Sequence, residues 1–299
     1  MAKVVCAGIG VLDQVWELPV LPVAPGKYIA TGLRVVGGGM AANAAVAIAA
    51  LGGQAAWCGR LGSDAAGATL LAALQRHGVD TRGVTIAEDA RSPTSAVLLD
   101  GEGERILAVF PGAGLPEEAP VPPELLDGAG AVLADPRWIG GAERLFAQAA
   151  LRGLPRIFDA DIAPRAALHR LARQAEHVIF SERGLAAFCG HADAQAGLAE
   201  AAAMLPGQVA VTLGAQGSLW WREGRPVHLG APRVQARDTT GCGDVFHGAY
   251  ALGLAEGMAV LDAARLATAA AALKAASGSG WDSMPDRSAA EAMSAQGWG

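Results

Sequence analysis

Short apolar runs alternate with helical stretches along most of this chain. Residues 3–11 (KVVCAGIGV) form a continuous β-rich apolar run, the pattern of a strand buried on both faces. Residues 14–20 and 28–36 mix polar with apolar positions and predict more exposed strands, separated by a turn-rich connection at Pro19, Pro22 and Pro25. Residues 40–51 predict a helix stopped at Gly52 and Gly53. Residues 55–61 read as strand and 65–77 as helix, closed by Gly78. Residues 94–99 and 105–110 flank Asp100-Gly-Glu-Gly103, a hairpin signal. Together with the two exposed strands near the N-terminus, this hairpin predicts a small second sheet.

After a proline-rich connector at 116–123 the alternation becomes regular. Residues 131–134, 156–159, 177–180 and 208–213 predict strands, with helices at 140–152, 164–174, 182–189 and 194–205 between them. Residues 218–221 and 226–229 predict a further hairpin, and 244–256 and 259–276 two long helices. Strand–helix alternation of this kind predicts an α/β fold, with a mostly parallel sheet covered on both faces.

Composition narrows the class. Hydrophobic residues make up 52% and charged residues 17% of the 299 positions, far too apolar for a disordered chain. The length supports a sizeable core and suits one large α/β unit as well as two domains. A formal net charge of −6 argues against nucleic acid as a partner, because phosphate binding leaves a basic footprint. Residues 35–59 carry no charge over 25 positions, longer than the roughly 20 residues a membrane span needs. Gly37, Gly38, Gly39, Asn43, Gly52, Gly53 and Gln54 interrupt the run, so it predicts a loop and a buried helix rather than a membrane segment. No signal-peptide pattern is visible, and Cys6, Cys58, Cys189 and Cys242 lack CxxC or metal spacing, which predicts reduced thiols in a cytoplasmic protein. Alanine reaches 67 and arginine outnumbers lysine 20 to 3. Both biases fit genome base composition, and the second makes each lysine conspicuous.

The strongest chemical signal is Asp238-Thr-Thr-Gly-Cys-Gly-Asp-Val-Phe246, which runs into an alanine-rich helix. Glycines on both sides of Cys242 let the backbone turn tightly and present N–H groups at a helix N-terminus, where the dipole favours an anion. Such a hole suits a phosphoryl group in transfer, and Asp244 at its mouth suits a base or a metal organiser. A plain helix cap uses the same residue types. The second signal, Gly37-Gly-Gly-Met-Ala-Ala-Asn43, allows close backbone approach to a ligand and adds an amide with donors and an acceptor. A glycine-rich strand–helix turn is common in its own right. Neither GxGxxG nor GxxxxGK followed by Ser or Thr occurs, which counts against a Rossmann oxidoreductase.

Taken together, GGGMAANAAVAIAALGG and, about 200 residues later, DTTGCGDVFHGAYALGLAEG resemble the two signatures of the PfkB (ribokinase-like) family of sugar and nucleoside kinases. The resemblance continues through residues 8–13, GRLGSDAAG at 59–67 and VTLGAQGSL at 211–219. It implies a single domain over 1–299, with a Rossmann-like three-layer α/β/α core. A β-sheet lid built from about 14–36 and 92–110 would be inserted in that core and would often serve as a homodimer interface. It implies ATP and Mg²⁺ as cofactors, with a monovalent cation (K⁺) as a further candidate, and a sugar as substrate.

The roles it implies are carried position by position. Asp244 corresponds to the base that takes the substrate hydroxyl proton, and Gly241, Cys242 and Gly243 to the anion hole. Asp13, Gly38, Gly39 and Asn43 correspond to sugar-hydroxyl positions. Thr212, Gly214 and Gly217 border the nucleotide, as do Ser277 and Gly280 in the adenine-side loop at 275–280. Asp238 and Thr240 would help to hold the monovalent cation. Cys242 stands where the family usually has Ala. The family's Asn-x-x-Glu magnesium segment reads Ser181-Glu-Arg-Gly184 here, which leaves Glu182 as the nearby carboxylate. His247, three residues after the base, suits either a tuning role or a packed core position.

For the substrate, PGKYIA at 25–30, ADPRW at 134–138, DADIAP at 159–164 and FSERGLAAF at 180–188 resemble the sulfofructose kinase branch. There a Lys and an Arg at the positions of Lys27 and Arg137 meet an anionic tail. Val109 and Asn43 depart from that branch, which has Asn and Thr there. A ketose or an acidic-tailed sugar is the expected acceptor. Ribose, ketohexose, 2-keto-3-deoxygluconate and nucleosides stay open, and so does a non-catalytic sugar- or nucleotide-binding protein.

Overall fold

Runs of Val, Ile and Ala without polar alternation become the central strands, because only a sheet covered on both faces can bury them. The computed structural model describes residues 1–102 and 104–298. Gly103, in the predicted hairpin turn, lies outside the described residues. The chain begins β1 (Lys3–Ala7), β2 (Val11–Glu17), β3 (Gly32–Gly38), α1 (Met40–Ala50), β4 (Gln54–Gly62), α2 (Ala65–Arg76) and β5 (Asp80–Ala87). It continues through β6 (Thr94–Leu99), β7 (Arg105–Phe110), β8 (Ala129–Ala134), α3 (Ile139–Leu151), β9 (Arg156–Ala160), α4 (Arg165–Ala172) and β10 (His177–Ser181). The remainder is α5 (Glu182–Cys189), α6 (Ala194–Met204), β11 (Gln208–Thr212), β12 (Ser218–Arg222), β13 (Arg225–Leu229), α7 (Cys242–Ala255), α8 (Val260–Ser277) and α9 (Arg287–Ser294).

Nine strands form the main sheet in the order β13-β12-β11-β10-β9-β8-β1-β4-β5. All neighbours from β11 to β5 are parallel, and β12 and β13 add an antiparallel edge. One hydrophobic cluster packs α1, α2, α7, α8 and α9 on one face, and a second packs α3 to α6 on the other. Ala41, Ala42, Ala44, Ala45 and Ala47 of α1 are at most 2% exposed. Much of the alanine is therefore interface, in side chains small enough for helices to sit close. Strand order reverses between β1 and β8, and in open α/β sheets ligands bind beyond the carboxyl ends of the strands at such a switch point.

The lid is a four-stranded sheet in the order β3-β2-β6-β7. β2 pairs antiparallel with β3 and parallel with β6, and β6 pairs antiparallel with β7. Among the described residues, no helix is long and apolar enough to cross a membrane.

Several expectations need correction; the exposed strand expected at 14–20 is β2 at Val11–Glu17, so residues 18–20 fall outside it. The first strand ends at Ala7 rather than at residue 11, because the Asp135 carboxylate takes the Ile9 N–H (2.9 Å) and the chain then crosses into the lid. Residues 28–31 are not strand; β3 starts at Gly32. Neither β5 nor α9 was expected. β5 is an edge strand whose polar residues mask its pattern, and α9 is a short surface helix.

Candidate active site

Gly241 adopts the left-handed conformation (φ +74°) as it enters α7, a backbone state that a side chain disfavours. Beyond it, the N–H groups of Gly243 and Asp244 stand in the helix's first turn, where no intrahelical acceptor exists. Among the described residues no other group accepts from them or from the Gly241 N–H. The Cys242 N–H differs: it reaches back to the Thr239 carbonyl at 3.3 Å. Among the described residues three of the four amides at this end therefore have no protein acceptor, and Cys242 closes the turn. Burial pushes the Cys242 thiol up to about 11, so it stays neutral beside the hole.

Asp244 is half-buried in the first turn of α7. Its Oδ2 accepts from Asn43 Nδ2 at 2.6 Å. Asn43 in turn accepts from Trp281 Nε1 at 2.7 Å through Oδ1, which fixes the amide orientation. The glycine-rich loop and the DTTGCGD turn thus meet through one hydrogen bond spanning 201 positions. Burial raises the Asp244 carboxyl well above the usual carboxylate range. The Asp159 carboxylate pushes the same way, and the Asn43 hydrogen bond opposes both.

Asp13 sits on β2 opposite Val36 and accepts from Ser95 Oγ on β6 at 2.5 Å. Burial raises its pKa and the Ser95 bond lowers it. Asp13, Gly38, Asn43, Asp238, Thr240, Gly241 and Gly280 line one cleft of about 540 Å³, open to solvent, between lid and core. Gly39 caps α1 at its edge. Thr212 ends β11, and Gly214 and Gly217 bracket the single turn that follows it, on the carboxyl side of the sheet.

The structure does not draw every expected residue into this cleft. Lys27 is exposed on the loop between β2 and β3, with no hydrogen bond or ion pair among the described residues. Ser277 is exposed and bonds back to Leu273 within α8 (2.8 Å). Glu182 is exposed at the start of α5. Arg137 lines a second cleft with Arg60, Gly8, Ile9, Pro93, Pro111 and Leu115, beside the segments that join β2, β6 and β7 to the rest of the chain. Its guanidinium lies 3.4 Å from Asp161, and Arg60 pairs with Glu117 at 2.8 Å.

The altered magnesium segment has a backbone cause. Ser181 caps α5 by accepting from the Gly184 N–H (2.9 Å) and donates to Asp161 Oδ1 (2.7 Å). A Cβ at 184 would overlap the Ala160 carbonyl, so the family's glutamate has no room there.

Several residues were missed. Asp135 is 1% exposed and accepts from the N–H groups of Ile9, Ala41 and Arg137, which ties β1, α1 and β8 together at the switch point. Burial raises its pKa to about 6 against those three hydrogen bonds. Arg105 of β7 reaches Asp238 (3.3 Å) and Arg34 of β3 reaches Ser279 (2.5 Å), so two lid arginines hold the core loops. His247 is 3% exposed, with its ring between the Gly243 and Ile179 carbonyls and 3.3 Å from Asp159. It is the packed histidine of the two readings.

A carboxylate beside the amides of a helix start, opposed by a cleft lined with an aspartate and glycines, is an arrangement for moving a phosphoryl group onto a hydroxyl. The model of the pfkB family carbohydrate kinases matches residues 1–287. The chain belongs to this family. This kinase is 27% identical to a ribokinase of Bacillus subtilis over 297 residues, 98% of this chain and 99% of that protein. It is 31% identical to a fructokinase of Klebsiella pneumoniae over 246 residues, covering 73% of this chain and 76% of the other. Its fold superposes with a TM-score of 0.94 on an Agrobacterium tumefaciens protein provisionally described as a ribokinase, at 35% identity over 98% and 97% of the two chains. An Arabidopsis thaliana ribokinase in complex with ribose and ATP follows at a TM-score of 0.86 and 26% identity, over 99% and 100%. The protein is a sugar kinase of the ribokinase and fructokinase type, with the ribokinase-like α/β fold and a smaller separate sheet.

Proposed function

We propose that this kinase transfers the γ-phosphoryl group of Mg²⁺-bound ATP to a hydroxyl of a small ketose or acidic-tailed sugar, of which sulfofructose is one. The observation that carries the reading is Asp244, held by Asn43 beside the free amides of Gly241, Gly243 and Asp244. Asp244 takes the hydroxyl proton as the oxygen attacks, and the amides meet the charge on the phosphoryl group. Asp13 and the Gly38–Gly39 backbone orient the sugar. The Arabidopsis ribokinase was solved with ribose and ATP bound, and here Thr212, Gly214 and Gly217, at the carboxyl end of β11, would border the nucleotide. The donor set suits Mg²⁺ that rides on the phosphates: Glu182 and Asp161 follow the ends of β10 and β9, with the buried Asp159 carboxylate near Asp161. The ion neutralises charge between the phosphates.

The acidic tail is supported by the second cleft, which Arg60 and Arg137 both line, with their guanidinium groups paired to Glu117 and Asp161. Guanidinium groups bind planar anions bidentately. A coupled ADP-release screen over sugars with and without phosphate, sulfonate or carboxylate tails tests this. Arg137→Ala is expected to raise KM for the tailed sugar by about tenfold or more, the scale of one hydrogen bond to a charged group, and to leave neutral sugars unchanged. A response to neutral sugars alone removes the tail from the proposal.

The lid also supports a homodimer. Leu33, Val35, Ile106 and Phe110 are exposed apolar residues on β3 and β7, and the strand register puts all four on the sheet face opposite Asp13, an exposed apolar set of the kind that marks association surfaces. Sedimentation velocity should show a dimer that Ile106→Glu splits; a wild type that stays monomeric at high concentration rejects it.

A further inference from the structure

The resemblance places a monovalent cation among Asp238, Thr240 and the loop 275–280. In this structure three oxygens of that site already accept hydrogen bonds from the protein. The Ala275 carbonyl accepts from the N–H groups of Arg237 (2.8 Å) and Asp238 (3.2 Å). Asp238 Oδ1 accepts from the Thr240 N–H (2.8 Å) and from Arg105 of the lid (3.3 Å). The Gly278 carbonyl accepts from Ser283 Oγ (2.8 Å) and from the ammonium of Lys274.

Lys274 is one of only three lysines in the chain and is 2% exposed. It stands in the last turn of α8 and borders the substrate cleft with Asp238, Thr240, Gly241 and Gly280. A buried ammonium survives only where acceptors and a counter-charge surround it. Burial pulls the Lys274 pKa down, while Cys242 and Asp238 push it up. An ammonium carries the same single charge as a monovalent ion and donates up to three hydrogen bonds from one point.

We propose that the Lys274 ammonium is the resident cation of this loop, standing in for a monovalent metal ion, so that this kinase works without K⁺. Lys274 is then a positioning residue. It holds the Gly278 carbonyl and, with Arg105, balances Asp238, the first residue of the turn that leads to the anion hole. The covalent link to α8 makes the cation a permanent part of the site.

The proposal rests on the kinase reading for its activity arm only. At constant ionic strength, replacing choline chloride by KCl is expected to change the wild-type rate by less than about twofold. Lys274→Ala should lose about tenfold or more in choline chloride, the scale of a lost hydrogen bond to a charged group, and regain activity with KCl or NH₄Cl. Lys274→Met fills the space without charge and should lose activity that no cation restores. A second readout needs no turnover: titration with Tl⁺ followed by ²⁰⁵Tl NMR should show no saturable site in the wild type and one in Lys274→Ala. Saturable Tl⁺ binding or a K⁺ requirement in the wild type overturns the proposal, as does equal behaviour of the Ala and Met variants in every cation. Should Lys274→Ala fail to fold, the two wild-type arms decide. Should no sugar give turnover, the kinase reading fails and the Tl⁺ arm still decides this one.

Discussion

Asp244→Asn is expected to lower kcat by about 10²–10⁴-fold, the range for a general base, with sugar affinity nearly unchanged. The amide keeps the shape of the side chain and can still meet Asn43, but it cannot accept a proton. The amides of Gly241 and Gly243 remain, and residual turnover reports their share. Calorimetry of sugar binding alongside steady-state kinetics separates the two effects. Near-normal kcat in this variant removes Asp244 as the base.

The second large effect belongs to Asn43. Burial and the Asp159 carboxylate raise the Asp244 pKa, and the Asn43 N–H is the hydrogen bond that opposes them. A base works only when ionised, so kcat/KM should fall on the acid side at a pH above the ordinary carboxylate value of about 4. Asn43→Ala removes a donor to the ionised form. The Asp244 pKa then rises further and the acid limb moves to higher pH. At neutral pH kcat/KM should fall by about 10–100-fold, the scale of one hydrogen bond to a charged group. A limb that stays in place while KM alone rises would make Asn43 a sugar ligand and nothing more.

Much of the fold was legible because local signals agreed with tertiary need. Ser181 and Asp193 accept from the N–H groups of Gly184 and Ala196 at the starts of α5 and α6, where the sequence placed those helices. β6 and β7 run over the residues that the hairpin signal marked. The two glycine turns were legible as well, because each carries its chemistry within a few consecutive residues. What escaped was long-range. Trp281 meets Asn43 across 238 positions, and Arg105 meets Asp238 across 133. Neither lies in a local pattern that says what it will touch. Asp135 reads as a turn residue until the fold places three N–H groups around it. The scarcity of lysine made each lysine conspicuous, and the fold treats them differently. Lys27 is exposed on a loop, while Lys274, on which the sequence pattern says nothing, is buried at the end of α8. Alanine read as compositional bias, yet in α1 it sets how closely the helix can lie against its neighbours.

The central claim is phosphoryl transfer from ATP to a sugar hydroxyl at Asp244. The most direct measurement is ³¹P NMR of the wild type with Mg²⁺-ATP and a panel of neutral and acidic-tailed sugars, run beside Asp244→Asn. The account predicts a new sugar phosphomonoester resonance growing one-for-one with ADP, nearly absent in the variant. ATP consumed to ADP and inorganic phosphate with no phosphomonoester, or a phosphomonoester formed equally fast by Asp244→Asn, would contradict it.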